Sequence, residues 1–556
     1  PPRSTLFPYT TLFRSNKIVI NEFRLINPQI NLKKNQNGKW NFELISSGPP
    51  DTSSSESNLS FDLSGIEIIN GALEFNSKTY SDKNHVNGFD TDRFTLEALN
   101  LAIDLEMYKG YKKIEIGHLS FIQNRKNILR ELSGIIYLDK SGIKVNNLNL
   151  EFNNTILTMN AYLLGLDLEK DEISLEKLKG KKCGFTLNAP SVNSKDLQYF
   201  IPDIDMLNGS LGITLDASGT LDNLSLNKLQ IVSEGTNMNI TGKVLNITEP
   251  EKMAFEVQMP ESEIDLADIS DKLLPLDLPD YSAAGKVKIK LNYTGKPDNF
   301  DSDINIEGNF GKLNGKVRLD MSEKIPKYNI KLLGSNLNLK PFLGNSFDSK
   351  INCRISGAGS GFDINDVNTE IDVEIDSSRF LHQPIDRSRI AITFINRHCN
   401  ALIAFAGGDT KIGLNTEFNL SRKNDQSYSF NLAINNLDVS KFTNDPNMSS
   451  DINISSAISG EYLSIDKTSG QAIFYIFPSR VRSDSIPELS FNLKYNQEDP
   501  EDRRISLYSD IADLELKGLY SVESFSKNVP NKLQKLFEEI STTLPFPAKG
   551  ETKVLL

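Results

Sequence analysis

The residues of this chain that could do chemistry are few and scattered. It has 556 residues, with only four histidines and three cysteines. His398-Cys399 is the most suggestive pair, because a thiol beside an imidazole is an activated nucleophile. The two are adjacent, however, and neighbours on a strand point to opposite faces. Asp298, Asp301 and Asp303 gather the oxygen ligands that calcium takes, yet the turn Lys296–Asp303 lacks the register of a calcium loop. Gly357-Ala358-Gly359-Ser360-Gly361 has the glycine density of a phosphate cradle, but no helix follows to complete it. Glu370, Asp372, Glu374 and Asp376 alternate with Ile371, Val373 and Ile375, which describes one wet strand face rather than a metal ladder.

The sequence contains no P-loop, HExxH, GxSxG or EF-hand motif. Cys183, Cys353 and Cys399 form no CxxC pair and are too few for a disulfide scaffold. The reading is therefore a protein without catalytic residues, cofactor or metal. The formal net charge is −12 and the pI is near 5.1. That balance argues against nucleic acid, whose phosphates need a basic face. No run of 18 apolar residues marks a transmembrane helix.

The elements that carry these residues are strands. From Asn16 onward the dominant period is two. Ile143/Val145, Leu148/Leu150/Phe152 and Val287/Ile289/Leu291/Tyr293 show it. So do Ile304/Ile306, Val317/Leu319/Met321, Ile330/Leu332 and Ile371/Val373/Ile375. Polar residues fill the alternate positions, as in antiparallel sheets with one wet face. The step at Asn146–Asn147 predicts a bulge or tight turn. Short helices are expected over Ser194–Ile201, Ile264–Leu274 and Asn338–Leu343. A longer one is expected at Asn531–Ser541, where Leu533, Leu536, Phe537 and Ile540 share a face behind Pro530.

An internal repeat is present. A small residue and a glycine ten positions later bracket a strand four times: Gly209/Gly219, Gly285/Gly295, Ser349/Gly359 and Ser450/Gly460. The offsets are 76, 64 and 101 residues. The expected organisation is an N-terminal β region at 16–203, with a Ser/Pro-rich linker at 46–60. Repeated β units then fill 204–525 (208–284, 285–348, 349–449 and 450–525), and 526–556 is a helix-bearing end. Residues 1–15, PPRSTLFPYTTLFRS, resemble translated sequencing-adapter read-through and are set aside.

Two blocks carry a family resemblance. Phe23–Glu43 reads FRLINPQINLKKNQNGKWNFE, and after the linker residues 65–75 read GIEIINGALEF. Leu25, Pro28, Ile30, Leu32, Gly38, Asn41, Ile66, Ile68, Asn70, Gly71 and Leu73 fall on a pattern that resembles the N-terminal region of the AsmA family of Gram-negative envelope proteins. The resemblance implies a mainly β fold: a long, twisted, predominantly antiparallel sheet forming a gutter, with few helices, related to bridge-like lipid-transfer proteins. It implies a periplasmic protein held in the inner membrane by an N-terminal helix that would lie ahead of this chain. It also implies phospholipid and the inner and outer membranes as partners.

The residues themselves are compatible with this. Each aliphatic side chain left in water forfeits roughly 1.5–3 kcal/mol, so an apolar sheet face must be covered by a second sheet or by something apolar such as lipid tails. About 25 strands at ~4.8 Å would span roughly 120 Å as one sheet. The candidate lipid-lining residues are Val287, Ile289, Leu291, Ile304, Ile306, Val317, Leu319, Ile330, Leu332, Ile371, Val373 and Ile375. Lys288 and Lys290 are their outer-face counterparts. The rival classes are an assembly factor for outer-membrane β proteins, working through sheet edges, and a stacked-β adhesin or stalk with a dry core.

Overall fold

The computed structural model describes residues 17–34, 39–41, 60–77, 90–166, 175–201, 208–272, 280–344, 347–421, 426–464, 467–499 and 501–519. The expected linker (but for Ser60), the expected helix at Asn531–Ser541 and residues 1–15 lie outside them. The described chain is mainly β, with 31 strands and a few short helices. It forms two compact units, residues 1–297 and 298–556.

The first unit opens with β1 (Lys17–Ile20), β2 (Phe23–Ile26), β3 (Gln29–Lys33) and β4 (Ser60–Asn76). Next come β5 (Arg93–Tyr108), β6 (Tyr111–Gln123), β7 (Asn127–Asp139), β8 (Gly142–Phe152) and β9 (Thr155–Leu164). Helix α1 (Leu175–Leu178) precedes β10 (Cys183–Asn193), and α2 (Ser194–Phe200) leads to β11 (Ser210–Thr220). The unit ends with β12 (Asn223–Val232), β13 (Asn237–Leu245), β14 (Ala254–Asp265), α3 (Leu266–Lys272) and β15 (Lys286–Lys296).

From β4 to β15 every strand pairs antiparallel with the next. The opening is different. β1, β2 and β3 all run parallel to β4, along successive stretches of its length. The alternation could not show this, because it is blind to strand direction. The sheet also continues through 203/204, since β10 pairs with β11. The compact units divide at 297/298 instead.

The second unit begins with β16 (Asn299–Gly308), β17 (Gly311–Asp320), β18 (Lys327–Leu337), α4 (Lys340–Leu343) and β19 (Ser349–Ser360). β20 (Asn368–Phe380), β21 (Gln383–Ile395), β22 (His398–Gly407), β23 (Thr410–Asn419) and β24 (Ser427–Leu437) follow. After α5 (Ser440–Thr443) come β25 (Ser450–Glu461), β26 (Ser469–Ile476), β27 (Ser479–Val481) and β28 (Asp484–Ile486). The last described strands are β29 (Leu489–Asn496), β30 (Arg503–Ser509) and β31 (Leu514–Gly518).

Neighbours in sequence pair antiparallel from β16 to β26. β26 then pairs with β29, β29 with β30, and β30 with β31. The β27–β28 hairpin stands aside and meets β25. At ~4.8 Å per strand, this open sheet of the second unit is roughly 60 Å across its strands.

The repeat has a structural basis. Its bracketed strands are β11, β15, β19 and β25, and each follows a short helix. An Asx residue starts each helical corner by accepting a bond from the main-chain N–H two residues on. Asn193 accepts from Lys195 at 3.1 Å and Asp265 from Ala267 at 3.0 Å. Asn338 accepts from Lys340 at 3.0 Å and Asp438 from Ser440 at 3.1 Å. Such residues satisfy donors that a helix start leaves open. The step at Asn147 is a bulge between Val145 and Leu148, with Asn147 at φ 51°.

Candidate functional site

The register gathers nine of the twelve candidate lining residues onto one face of the second unit. Val317 stands opposite Ile330, and Leu319 opposite Tyr328. Leu332 faces Ile355, which faces Val373, which faces Ile390. Ile371 faces Ile392, and Ile375 faces Cys353. Ile304 and Ile306 continue the same face on β16, opposite Gly315 and Leu313. Four side-chain rows therefore cross the sheet, each two residues from the next along the strands.

None of these nine side chains is buried; all are half-buried. Neighbouring aliphatic groups shield one another, and the remainder stays open. A covering sheet would bury them almost completely, as side chains of sandwich cores are.

Val287, Ile289 and Leu291 sit on β15 of the first unit and differ among themselves. Ile289 and Leu291 are half-buried. Val287 is 2% exposed and stands opposite the buried Ile264, beside α3 and Ala284. It packs inside a helical corner, so no ligand reaches it while that corner is closed. The first unit has its own apolar row, from Leu105 through Ile114, Ile136, Val145 and Ala161 to Phe185. That row ends in a small core of Cys183, Ala217 and Leu224.

The other face is charged. Arg354 pairs with Glu374 at 2.7 Å, and Arg389 with Asp372 at 2.6 Å. In the first unit, Lys290 lies 3.5 Å from Glu261. An open depression of about 800 Å³ lies around Arg354, Glu374, Arg387 and Arg389. Ile375 is the one candidate lining residue that borders it.

The residues suggestive of chemistry separate. Cys399 lies in an apolar row between Phe394 and Phe418, while His398 is exposed. Burial pushes the Cys399 thiol up, which opposes a nucleophile. Asp303 and Asp301 lie 3.4 and 3.9 Å from Lys316 and Arg318. Gly357 is inside β19, between Ile330 and Ile371. All three cysteines are free. Among the described residues no cluster of His, Cys, Asp and Glu is arranged for a metal, and no helix is long and apolar enough to cross a membrane.

Sequence reasoning missed one polar relay. His118 Nδ1 lies 2.6 Å from Glu131, and its Nε2 lies 2.9 Å from the Ser120 hydroxyl. Register shifts between Ile116 and Leu119 bring the three together. A hydrolase would also need donors aimed at an oxyanion, and a central strand commits its N–H groups to its two ladders. The relay reads as a cross-strand polar network.

The N-terminal motif residues meet at the parallel edge. Leu25 faces Ile68, Ile30 faces Leu73, and Phe23 faces Ile66. Asn27 and Asn70 both take φ 51°, and the Asn70 side chain donates to that of Asn27 at 2.7 Å. Ala72 donates to the Pro28 carbonyl at 2.8 Å. A Cβ on Gly71 would stand 2.8 Å from Ile68 and 3.2 Å from Pro28, so this approach favours glycine. Leu32 faces Phe75, and Asn41 donates to the Asn31 carbonyl at 2.6 Å. Gly38 lies outside the described residues. No family model matches the chain, and neither a curated protein nor a solved structure does.

Proposed function

We propose that the chain is an AsmA-like envelope protein that binds phospholipid on its apolar sheet face and shields or conducts the acyl chains between membranes. No covalent chemistry is involved. The observation that carries this reading is the half-buried state of Ile304, Val317, Ile330, Leu332, Ile371 and Val373 on one registered face. Completing the burial of such side chains is favourable, non-directional and indifferent to chain identity. Acyl chains meet that need without fixed contacts, while headgroups stay in water.

The motif residues at the parallel edge support the AsmA-like part of the reading. They form one interlocked arrangement rather than a scattered coincidence of residue types. A periplasmic site between inner and outer membranes belongs to the same proposal.

The test is extraction of the full chain, expressed in a Gram-negative envelope, with organic solvent and mass spectrometry of what is released. Stoichiometric or greater phospholipid, relative to an unrelated β protein of equal size, supports the reading. Lipid at the level of that control overturns it.

A further inference from the structure

We infer that the polar face of the first unit, on the reverse of its apolar row, carries a binding site for an acidic sugar. The site lies across β8 to β11. It goes beyond the lipid-binding reading and does not rest on it.

Two cross-strand rows build the site. In the first, Lys144 stands opposite Tyr162, Tyr162 opposite Gly184, and Gly184 opposite Ser218. In the second, Asn160 stands opposite Thr186, and Thr186 opposite Asp216. These residues alternate with Val145, Ala161, Phe185 and Ala217 along their strands, so they point away from the apolar row. Together they line an open depression of about 490 Å³. Small-ligand sites span roughly 300–1,000 Å³.

The depression is shaped for a ring. Tyr162 is 39% exposed and leans across β10 over Gly184. A Cβ on Gly184 would stand 2.4, 2.6 and 2.8 Å from Cε1, Cζ and the hydroxyl of that tyrosine, so the bare glycine makes room for the phenol. An aromatic face is electron-rich and attracts the weakly positive C–H groups on one side of a pyranose. The second row meets the hydroxyls at the pyranose edge. Asn160 Nδ2 lies 3.4 Å from the Thr186 hydroxyl, and Asn227 donates to one Asp216 oxygen at 3.1 Å. Carboxamide, hydroxyl and carboxylate offer both donors and acceptors, and a sugar hydroxyl uses both.

Charge selects the acid. Lys144 and Lys182 border the depression, and Lys228 stands opposite Asp216 on β12. None of the three makes an ion pair with a described residue. Asp139 feels the Lys144 charge, but its carboxylate accepts from the Ser141 N–H and hydroxyl. Three ammonium groups against two carboxylates leave this stretch net positive, in a chain whose net charge is −12. Such a stretch attracts a ligand that carries a carboxylate.

The experiment is saturation-transfer difference NMR on the full chain, with glucuronate, glucose and acetate as probes. Glucuronate should receive magnetisation several-fold more strongly than glucose, and acetate should receive none. Tyr162→Ala should abolish transfer to both sugars, and Tyr162→Phe should keep it. Gly184→Ala should weaken it by displacing the ring. Lys144→Ala combined with Lys182→Ala should bring glucuronate down to the level of glucose. Circular dichroism checks that each variant keeps its sheet. Extractable phospholipid should stay at the parental level in all of them, which separates this site from the lipid face. Transfer to neither sugar, or transfer that survives Tyr162→Ala, overturns the site. Equal transfer to glucose and glucuronate overturns the choice of an acidic sugar. Transfer to acetate as strong as to glucuronate shows a patch for any anion and overturns the sugar.

Discussion

The main-chain N–H of Asn336 donates to the side-chain oxygen of Asn352 at 2.9 Å, and Asn436 makes the same bond to Asn453 at 2.8 Å. Each acceptor asparagine is tied to the following strand in turn. The Asn352 N–H donates to the Ser378 hydroxyl at 2.7 Å, and the Asn453 N–H to that of Ser479 at 2.9 Å. The side-chain amides of Asn352 and Asn453 donate onward to the carbonyls of Ser377 and Pro478. Asn336 and Asn436 occupy the left-handed region, at φ 53° and 52°, where asparagine is tolerated better than most residues. The two ladders secure equivalent bulges in the last two repeats.

Truncating a ladder should open it locally. Asn352→Ala removes the acceptor for Asn336 and the donor to Ser377, a loss of about 1–2 kcal/mol. Hydrogen exchange at the Asn336 amide should become roughly tenfold faster. Asn453→Ala should do the same at Asn436 and leave Asn336 unchanged. Unchanged exchange at both sites would show that water replaces the ladder at no cost.

The apolar face should tolerate charge on one side only. Ile330→Asp combined with Val373→Asp should lower bound phospholipid at least about tenfold, since each substitution costs more than the ~1 kcal/mol of a half-buried side chain. Lys331→Ser lies between Ile330 and Leu332 but on the opposite face, and should leave lipid content unchanged. Circular dichroism checks that each variant keeps its sheet. Equal loading of both variants would remove the face from the mechanism.

Two glycines should respond very differently to a methyl group. Gly315 has φ +152°, and a Cβ there would lie 2.0 Å from the Lys331 carbonyl oxygen. Gly315→Ala should cost about 3 kcal/mol or more, because the obstacle is main chain and cannot rotate away. A Cβ on Gly413 meets nothing within 4 Å. Gly413→Ala should change stability by no more than about 0.5 kcal/mol. Urea unfolding followed by fluorescence compares them.

One carboxylate gives a pH signature. Glu249 lies 2.6 Å from both Lys179 and Lys252, and those two ammonium groups hold its pKa down to about 2. A carboxylate held below its usual value, near 4.5, stabilises the fold above that pH. The contribution is lost as pH falls from 4.5 towards 2. Glu249→Gln should therefore destabilise the first unit at neutral pH. The deficit against the parent chain should shrink across that window, which acid titration of both proteins measures.

Much of this architecture was legible in the chain. Alternation such as Val287/Ile289/Leu291 marked the strands, because the pleat enforces a period of two whatever the topology. The bracketed repeats marked β11, β15, β19 and β25, because every corner needs a small residue where the chain re-enters the sheet. The parallel edge was not legible. β2 and β4 are separated in sequence, and nothing local states that Leu25 faces Ile68. Nor did periodicity separate Val287 from Leu291, since burial depends on α3 folding over one end of β15. The helical corners left a signal that went unread: Asn193, Asp265, Asn338 and Asp438 each stand just before the turn they cap.

From β16 to β26 no strand waits for a partner from far along the chain. Each finds its ladder on the strand made just before it. A chain threaded end first out of a ribosome or through a membrane pore can thus fold as it is delivered, strand upon strand. The contacts are nearly all local, which favours fast assembly. The newest edge is then covered by the next strand to arrive. An unfinished chain is therefore already a length of paired sheet, and its growing edge stays open to aggregation only until the next strand arrives.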